Sequence, residues 1–195
     1  MLIDRSVRDV LAAFSSSDPT PGGGSAAALA SATGASLLIM VAGLPKTRTG
    51  ADAERAALAA AAPTLVDLRD RLAAAIDDDT AAYDRVVAAY KLPKVTADEQ
   101  QVRKDAIQQA LRSATDVPLA VVRWSANALR VSDTVAAHGH AAAASDVGVA
   151  VALLKAGLHG ARLNVEINLD SVRDEAYVAE TRRTVEDLTA RMKGR

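Results

Sequence analysis

Asp79 occupies the position in this chain that most needs a chemical explanation. Leu58, Leu65, Leu72, Asp79 and Val86 recur every seven residues, and Ile76, Tyr83 and Tyr90 form the adjoining row. On an α-helix these positions share one face, so a carboxylate falls in the middle of an apolar stripe. Asp77 and Asp78 differ from it. Asp77 aligns with Asp70 and Asp84 on a polar face, and Asp78 lies between Arg71 and Arg85, so both are expected to be solvated. A carboxylate facing a core must be paired, hydrogen-bonded or protonated, because burying it alone costs several kcal/mol. Desolvation raises its pKa, which suits general acid or base work near neutral pH. The structural alternative is an Asp satisfied by a donor from another helix, or an interface ion pair.

A second feature is Pro19-Thr20-Pro21-Gly22-Gly23-Gly24-Ser25, followed by a run of small residues from Ala26 to Gly43. Three consecutive glycines lose more chain entropy on folding than any other tripeptide. The prolines stiffen the approach, and Ser25 is placed to cap the helix that the alanines propagate. The first N–H groups of that helix have no intrahelical partner and would point at an electron-rich ligand group. The same residues also suit a tight inter-helix turn, and spacing alone does not separate the two readings.

Further along, Ala152, Ala156 and Gly160 recur every four residues and the row continues as Asn164 and Asn168. Small residues at that spacing admit a close neighbouring helix, while two buried amides must link helices or address a ligand. Ser145-Asp146 follows His138-Gly139-His140 closely in sequence. A metal would need more ligands than the two histidines and Asp146 supply, so no metal site is expected. His159, between Leu158 and Gly160, reads as an ordinary helix histidine.

These residues need long helices to hold them. Ile3 to Phe14 has helical periodicity, and a second helix is expected from Ser25 to Leu44. Residues 51 to 90 form one long helical pattern with Pro63 inside it, implying a kink or break. Thr96 and Glu99 have capping-box spacing, and Glu99 can pair with Arg103 one turn on. The helix that follows carries Pro118 and ends near His138. Another runs from between Ala141 and Ser145 to Leu169, and Asp170 and Ser171 could cap a last one ending near Arg191. No segment alternates as a strand does. The fold expected is all-α: a single domain over residues 1–195, built as a bundle of long, partly kinked helices.

Composition narrows the function. Half of the 195 residues are apolar but only 3% are aromatic, so the core must be built from Ala, Val and Leu. A net charge of −1 gives no basic field for nucleic acid. There is no cysteine, which excludes disulfides and thiolate metal sites. The stretch from Pro19 to Pro45 is uncharged, yet its first half is Gly, Ala, Ser and Thr without flanking aromatics, which points to a buried helix rather than a membrane span. Residues 1–5 lack the apolar core of a signal peptide, and a cytoplasmic protein is expected. The glycine loop lacks the Lys-Ser/Thr of a P-loop, and no strand precedes it as in a dinucleotide fold.

The PTPGGGSAAA run over residues 19–28 resembles the opening signature of the formimidoyltetrahydrofolate cyclodeaminase / methenyltetrahydrofolate cyclohydrolase family. Asp77-Asp78-Asp79-Thr80-Ala81-Ala82-Tyr83, Leu92-Pro93-Lys94, Val117-Pro118-Leu119, Ser145-Asp146 and Asn164-Val165-Glu166-Ile167-Asn168-Leu169 follow in the family's order. The resemblance implies an all-helical homodimer acting on a tetrahydrofolate that carries a one-carbon unit, with no metal and no organic cofactor. It implies that Asp79 is the catalytic acid or base. Pro21, Gly22, Gly23, Gly24, Ser25, Lys94, Asp146, Asn164 and Asn168 are then the substrate-binding set, Lys94 meeting a glutamate carboxylate. Cyclohydrolase or dual activity is favoured over cyclodeaminase alone, since no transferase domain accompanies the chain. Two departures from the family pattern, His140 and the short Leu44-Pro45-Lys46-Thr47-Arg48 loop, carry the alternative of a folate-binding or interaction protein without catalysis.

Overall fold

The computed structural model describes residues 1–190. They form six α-helices: α1 (Val7–Phe14), α2 (Gly23–Ala42), α3 (Asp52–Tyr90), α4 (Ala97–His138), α5 (Ala144–Leu169) and α6 (Glu175–Ala190), with a 3₁₀ turn at Ala141–Ala143. Among the described residues there is no strand beyond one antiparallel bridge between Thr47 and Gly139. The expected all-α bundle is what the chain forms. Helices α2 to α5 close a four-helix bundle in which sequence neighbours run antiparallel and α5 returns to pack on α2.

Apolar positions at helical spacing on four long helices build the core as adjoining clusters. Around the N-terminus of α2 it contains Ala28, Ala32, Leu72, Ile76, Val122 and Val165. Toward the other end it contains Leu38, Leu65, Leu129, Val135, Ala150 and Leu154. Leu38, Leu65, Leu72 and Leu154 are fully buried, each contributing about 2 kcal/mol from burial. The expected shortage of aromatic bulk is met by close approach. A Cβ on Gly157 would overlap Ser31 Oγ and lie 2.6 Å from the Ala27 carbonyl oxygen, and one on Gly34 would lie 2.7 Å from that of Ala150. α2 and α5 therefore touch backbone to backbone. α2 and the stretch Ala141–Leu169 are each long and apolar enough to cross a bilayer, and half of α2 is buried in the bundle.

Several local expectations change. α1 begins at Val7, not Ile3, with Ser6 accepting from the Asp9 N–H. α2 begins at Gly23 with Gly22 as its N-cap, so Ser25 is inside the first turn and does not cap it. α3 and α4 run through Pro63 and Pro118 without a break. Thr96 and Glu99 form the expected capping box, but Glu99 is held by the Val95 and Thr96 N–H groups while Arg103 donates to the Tyr90 carbonyl. The Glu99–Arg103 pair is thus replaced by two stronger local commitments. Asp174, rather than Asp170 or Ser171, starts α6 by accepting from the Tyr177 N–H. Of the last expected helix, Arg191 lies outside the described residues.

Asp77 is not merely solvated. It accepts from the backbone N–H of Leu2 at 2.5 Å and of Ile3 at 3.4 Å, tying the N-terminal segment to α3. A second carboxylate orders the α2–α3 connection: Glu54 accepts from Thr47 Oγ1 at 2.7 Å and from the Thr49 N–H at 2.9 Å. These bonds, the Thr49 N–H foremost, hold its pKa down from 4.5 to about 2. A carboxylate with a depressed folded pKa stabilises the fold above its unfolded pKa and loses that contribution as pH falls through the folded value. Thermal unfolding should therefore show Glu54→Gln melting below the parent at neutral pH, with the gap closing as pH falls from 4.5 toward 2. A gap independent of pH would contradict this account.

Candidate active site

The start of α2 is the point where three helices converge. Ser25 is wholly buried and its N–H donates to Asp79 Oδ2 at 2.9 Å. Its hydroxyl lies 3.1 Å from the same oxygen and 2.8 Å from the Ile76 carbonyl. α2 has no cap from its own chain neighbours, so the carboxylate on α3 takes that place from across the bundle. Asp79 is partly buried, and burial pushes its pKa up while the Ser25 hydroxyl and N–H pull it down. Leu58, Leu65, Leu72 and Ile76 are buried as the spacing requires, whereas Tyr83 and Tyr90 of the adjoining row are exposed, so the stripe opens toward solvent just past Asp79.

The glycines make room. A Cβ on Gly24 would overlap Asp79 Oδ1 and stand 2.5 Å from its Cγ. A Cβ on Gly23 would meet Asn164 Nδ2 at 3.4 Å. Neither has a positive φ, so their small size, not their backbone freedom, is what the site uses. The loop is thus flanked by α3 through Asp79 and by α5 through Asn164. As first-turn residues, Gly23 and Gly24 present N–H groups that have no intrahelical acceptor. Pro21, reached through a cis Thr20–Pro21 bond, lines a cavity of about 400 Å³ with Leu2, Arg5, Asp77 and Thr80 beside the loop.

The other expected residues fall in different places. Asn164 donates to the carbonyl of Gly160 on its own helix at 2.8 Å. Asn168 donates to the Ala114 carbonyl of α4 at 2.8 Å, so its amide links helices. The row Ala152, Ala156, Gly160 does not face one neighbour. Steps of four residues drift by about 40° on an α-helix, so Ala152 and Ala156 are exposed whereas Gly160 meets Ala27. Asp146 is in the first turn of α5, about 27 Å along the helix from Asn164, and is not brought to the loop within one chain. Lys94 is exposed in the α3–α4 turn, its carbonyl accepting from Gln100. That turn lies beyond Tyr90, which is about 16 Å along α3 from Asp79.

No group of three or more candidate metal ligands occurs among the described residues. In the short α2–α3 loop, Arg48 donates to the Ala136 carbonyl at 2.6 Å and its N–H to that of His138 at 2.9 Å, so it closes the end of α4. Sequence reasoning located Asp79 and the loop but missed what joins them. The capping chemistry of Ser25 was visible, while its acceptor, 54 residues away, was not.

The family model described as formiminotransferase-cyclodeaminase matches residues 6–187. A methenyltetrahydrofolate cyclohydrolase of Methylorubrum extorquens is 39% identical over 187 residues, covering 96% of this chain and 90% of that protein. A formimidoyltransferase-cyclodeaminase of Sus scrofa is 33% identical, over 96% of this chain but 35% of its own length. The crystal structure of formiminotetrahydrofolate cyclodeaminase from Thermotoga maritima superposes with a TM-score of 0.87 at 25% identity, covering 100% of this chain and 93% of that one. The family match over residues 6–187, the sequence relatives and the fold agree: the chain belongs to the formiminotransferase-cyclodeaminase family, in its cyclodeaminase-like helical part.

Proposed function

We propose that the protein is a folate one-carbon enzyme that opens or forms the methenyl bridge of tetrahydrofolate, with Asp79 as its proton shuttle. The observation that carries this reading is a partly buried carboxylate with one oxygen bound by Ser25 and the other above Gly24, in a chain that shares 39% identity with a methenyltetrahydrofolate cyclohydrolase.

In the hydrolase direction, ionised Asp79 takes a proton from the water that attacks the methenyl carbon. The tetrahedral intermediate collapses with cleavage of its bond to N5. Asp79 returns its proton to that nitrogen, and the hydroxyl proton of the intermediate passes to solvent as the formyl C=O forms, leaving neutral 10-formyl-tetrahydrofolate from the cationic methenyl substrate. In the deaminase direction, N10 attacks the carbon of the protonated formimino group (CH=NH2+), Asp79 takes the N10 proton and gives it to the amino group of the intermediate, and ammonia leaves the methenyl cation behind. Both directions need a base that becomes an acid within one turnover. The Gly23 and Gly24 N–H groups and Asn164 would orient the ligand, Pro21 and Gly22 would wall the loop, and Lys94 would meet a terminal carboxylate of a long substrate. Asn168 would act by holding α5 against α4. The substrate itself is the small-molecule partner in this reading, and no metal or organic cofactor enters the scheme.

A homodimer belongs to the same proposal. Val149, Ala152, Ala156, Leu163 and Ile167 form one outward stripe on α5, with Val149 52% and Ile167 68% exposed. A second copy would cover that stripe.

Feeding purified protein methenyl- and formimino-tetrahydrofolate separately, and following the methenyl chromophore, tests the activity. Loss of the chromophore from the first, or its appearance from the second, is expected. No change in either assay would remove the catalytic reading. Light scattering on the same preparation should give twice the chain mass, and a monomer would remove the dimer.

A further inference from the structure

The hydroxyl of Ser25 has one proton and two acceptors. Its Oγ is 2.8 Å from the Ile76 carbonyl oxygen and 3.1 Å from Asp79 Oδ2, while the Ser25 N–H holds Oδ2 at 2.9 Å. A hydroxyl donates to one acceptor at a time. With Asp79 ionised, turning to Oδ2 makes the stronger, charge-assisted bond. With Asp79 protonated, the Ile76 carbonyl becomes the better acceptor. That carbonyl already belongs to the hydrogen-bond ladder of α3, so it is not orphaned when the hydroxyl turns away. In both charge states the buried Ser25 donor keeps a partner, and the switch needs only rotation about Cβ–Oγ.

We propose that Ser25 is the positioning residue for proton transfer by Asp79, its hydroxyl alternating between the Ile76 carbonyl and Oδ2 so that Oδ1 takes and returns the proton. The inference rests on Asp79 being the shuttle, and it moves Ser25 from the substrate-binding set to the support of the carboxylate. The attacking group gives its proton to Oδ1, Oδ1 gives it to the departing nitrogen, the hydroxyl proton of the hydrolytic intermediate goes to solvent as the formyl C=O forms, and the Ser25 proton never leaves its oxygen. Gly24 permits this arrangement, because any side chain there would occupy the place of Oδ1. α2 faces Asp79 with the uncharged Gly24 and Ser25, and the pKa of the Asp79 carboxyl is shifted only by burial and by the two Ser25 bonds, with no charged group among the causes. On α3 its charged sequence neighbour Asp78 is exposed, and Asp77 is engaged by the N-terminal segment.

The test combines a direct titration of the Asp79 carboxyl, by carbon-13 NMR of the ligand-free protein, with the pH dependence of kcat. Ser25→Ala should shift the Asp79 titration and the acidic limb of kcat upward together. It should lower kcat at neutral pH by about tenfold and change KM by less than about twofold. Ser25→Thr, which keeps the hydroxyl, should return both curves toward the parent. If Ser25→Ala leaves the titration where it was, the inference is overturned and Asp79 stands as shuttle without it. If the titration moves but the kcat profile does not, both the inference and the assignment of Asp79 fall. The alanine variant decides these outcomes alone should the threonine variant not fold.

Discussion

Gly24→Ala is expected to lower turnover by about a hundredfold or more while leaving the helical fold in place. The added methyl overlaps Oδ1 of Asp79 and stands 2.5 Å from Cγ and 2.8 Å from Oδ2. A short side chain on a packed helix has no room to withdraw by small adjustments, so the carboxylate must take another rotamer. It then loses both bonds to Ser25, and α2 loses its cap from α3. Alanine is otherwise the better residue, since it favours a helix over glycine by about 1 kcal/mol. The cost of the lost cap, about 1 kcal/mol, and this gain offset each other. Circular dichroism should therefore show a parent-like melt alongside the collapsed rate. Full activity in Gly24→Ala would mean that the carboxylate works from a different position.

Asp79→Asn is expected to lower turnover by about a hundred- to ten-thousandfold, the range general acid–base catalysis supplies. The amide oxygen still accepts from the Ser25 N–H, so the geometry persists while the titrating proton is gone. The stability effect has the opposite sign. Burial raises the folded pKa of Asp79, so its contribution to stability is present below the unfolded pKa and is lost as pH rises through the folded value. Near neutral pH the ionised carboxylate weighs against folding, and an uncharged amide in its place does not. The variant should melt at or above the parent at pH 7, with the advantage disappearing in acid. Turnover retained in both folate assays would exclude Asp79 as the shuttle.

Much of this was legible in the residues. Leu58, Leu65 and Leu72 fixed the face of α3 from which Asp79 emerges, and periodicity identified all the long helices. What periodicity reports is a face, not the partner across from it. Ser25 looked like a cap because its type and position fit one. Only the packing of α2 on α3 shows that the helix starts two residues earlier and that the serine supports a carboxylate instead. Asp77 had the spacing of a solvated residue, yet the chain start folds back onto it. Asp146 stood near the other signature residues in family order, but sequence order does not measure length along a helix. Of the two amides expected to link helices or address a ligand, Asn168 links α5 to α4, whereas Asn164 donates back to the Gly160 carbonyl of its own helix.

The contact of α2 with α5 bears on the site in another way. Gly34 and Gly157 act as a fulcrum, since backbone meets backbone there. Beyond the fulcrum, α5 is a rigid arm that carries Asn164 over Gly23. The spacing of the α2 and α5 axes there sets how near Asn164 stands to Gly23, while Asp79 is held separately by Ser25. The Asn164–Gly23 approach and the Asp79–Ser25 contact are thus set by separate helix pairs, and sequence change at the α2–α5 glycines can adjust the first without touching the second.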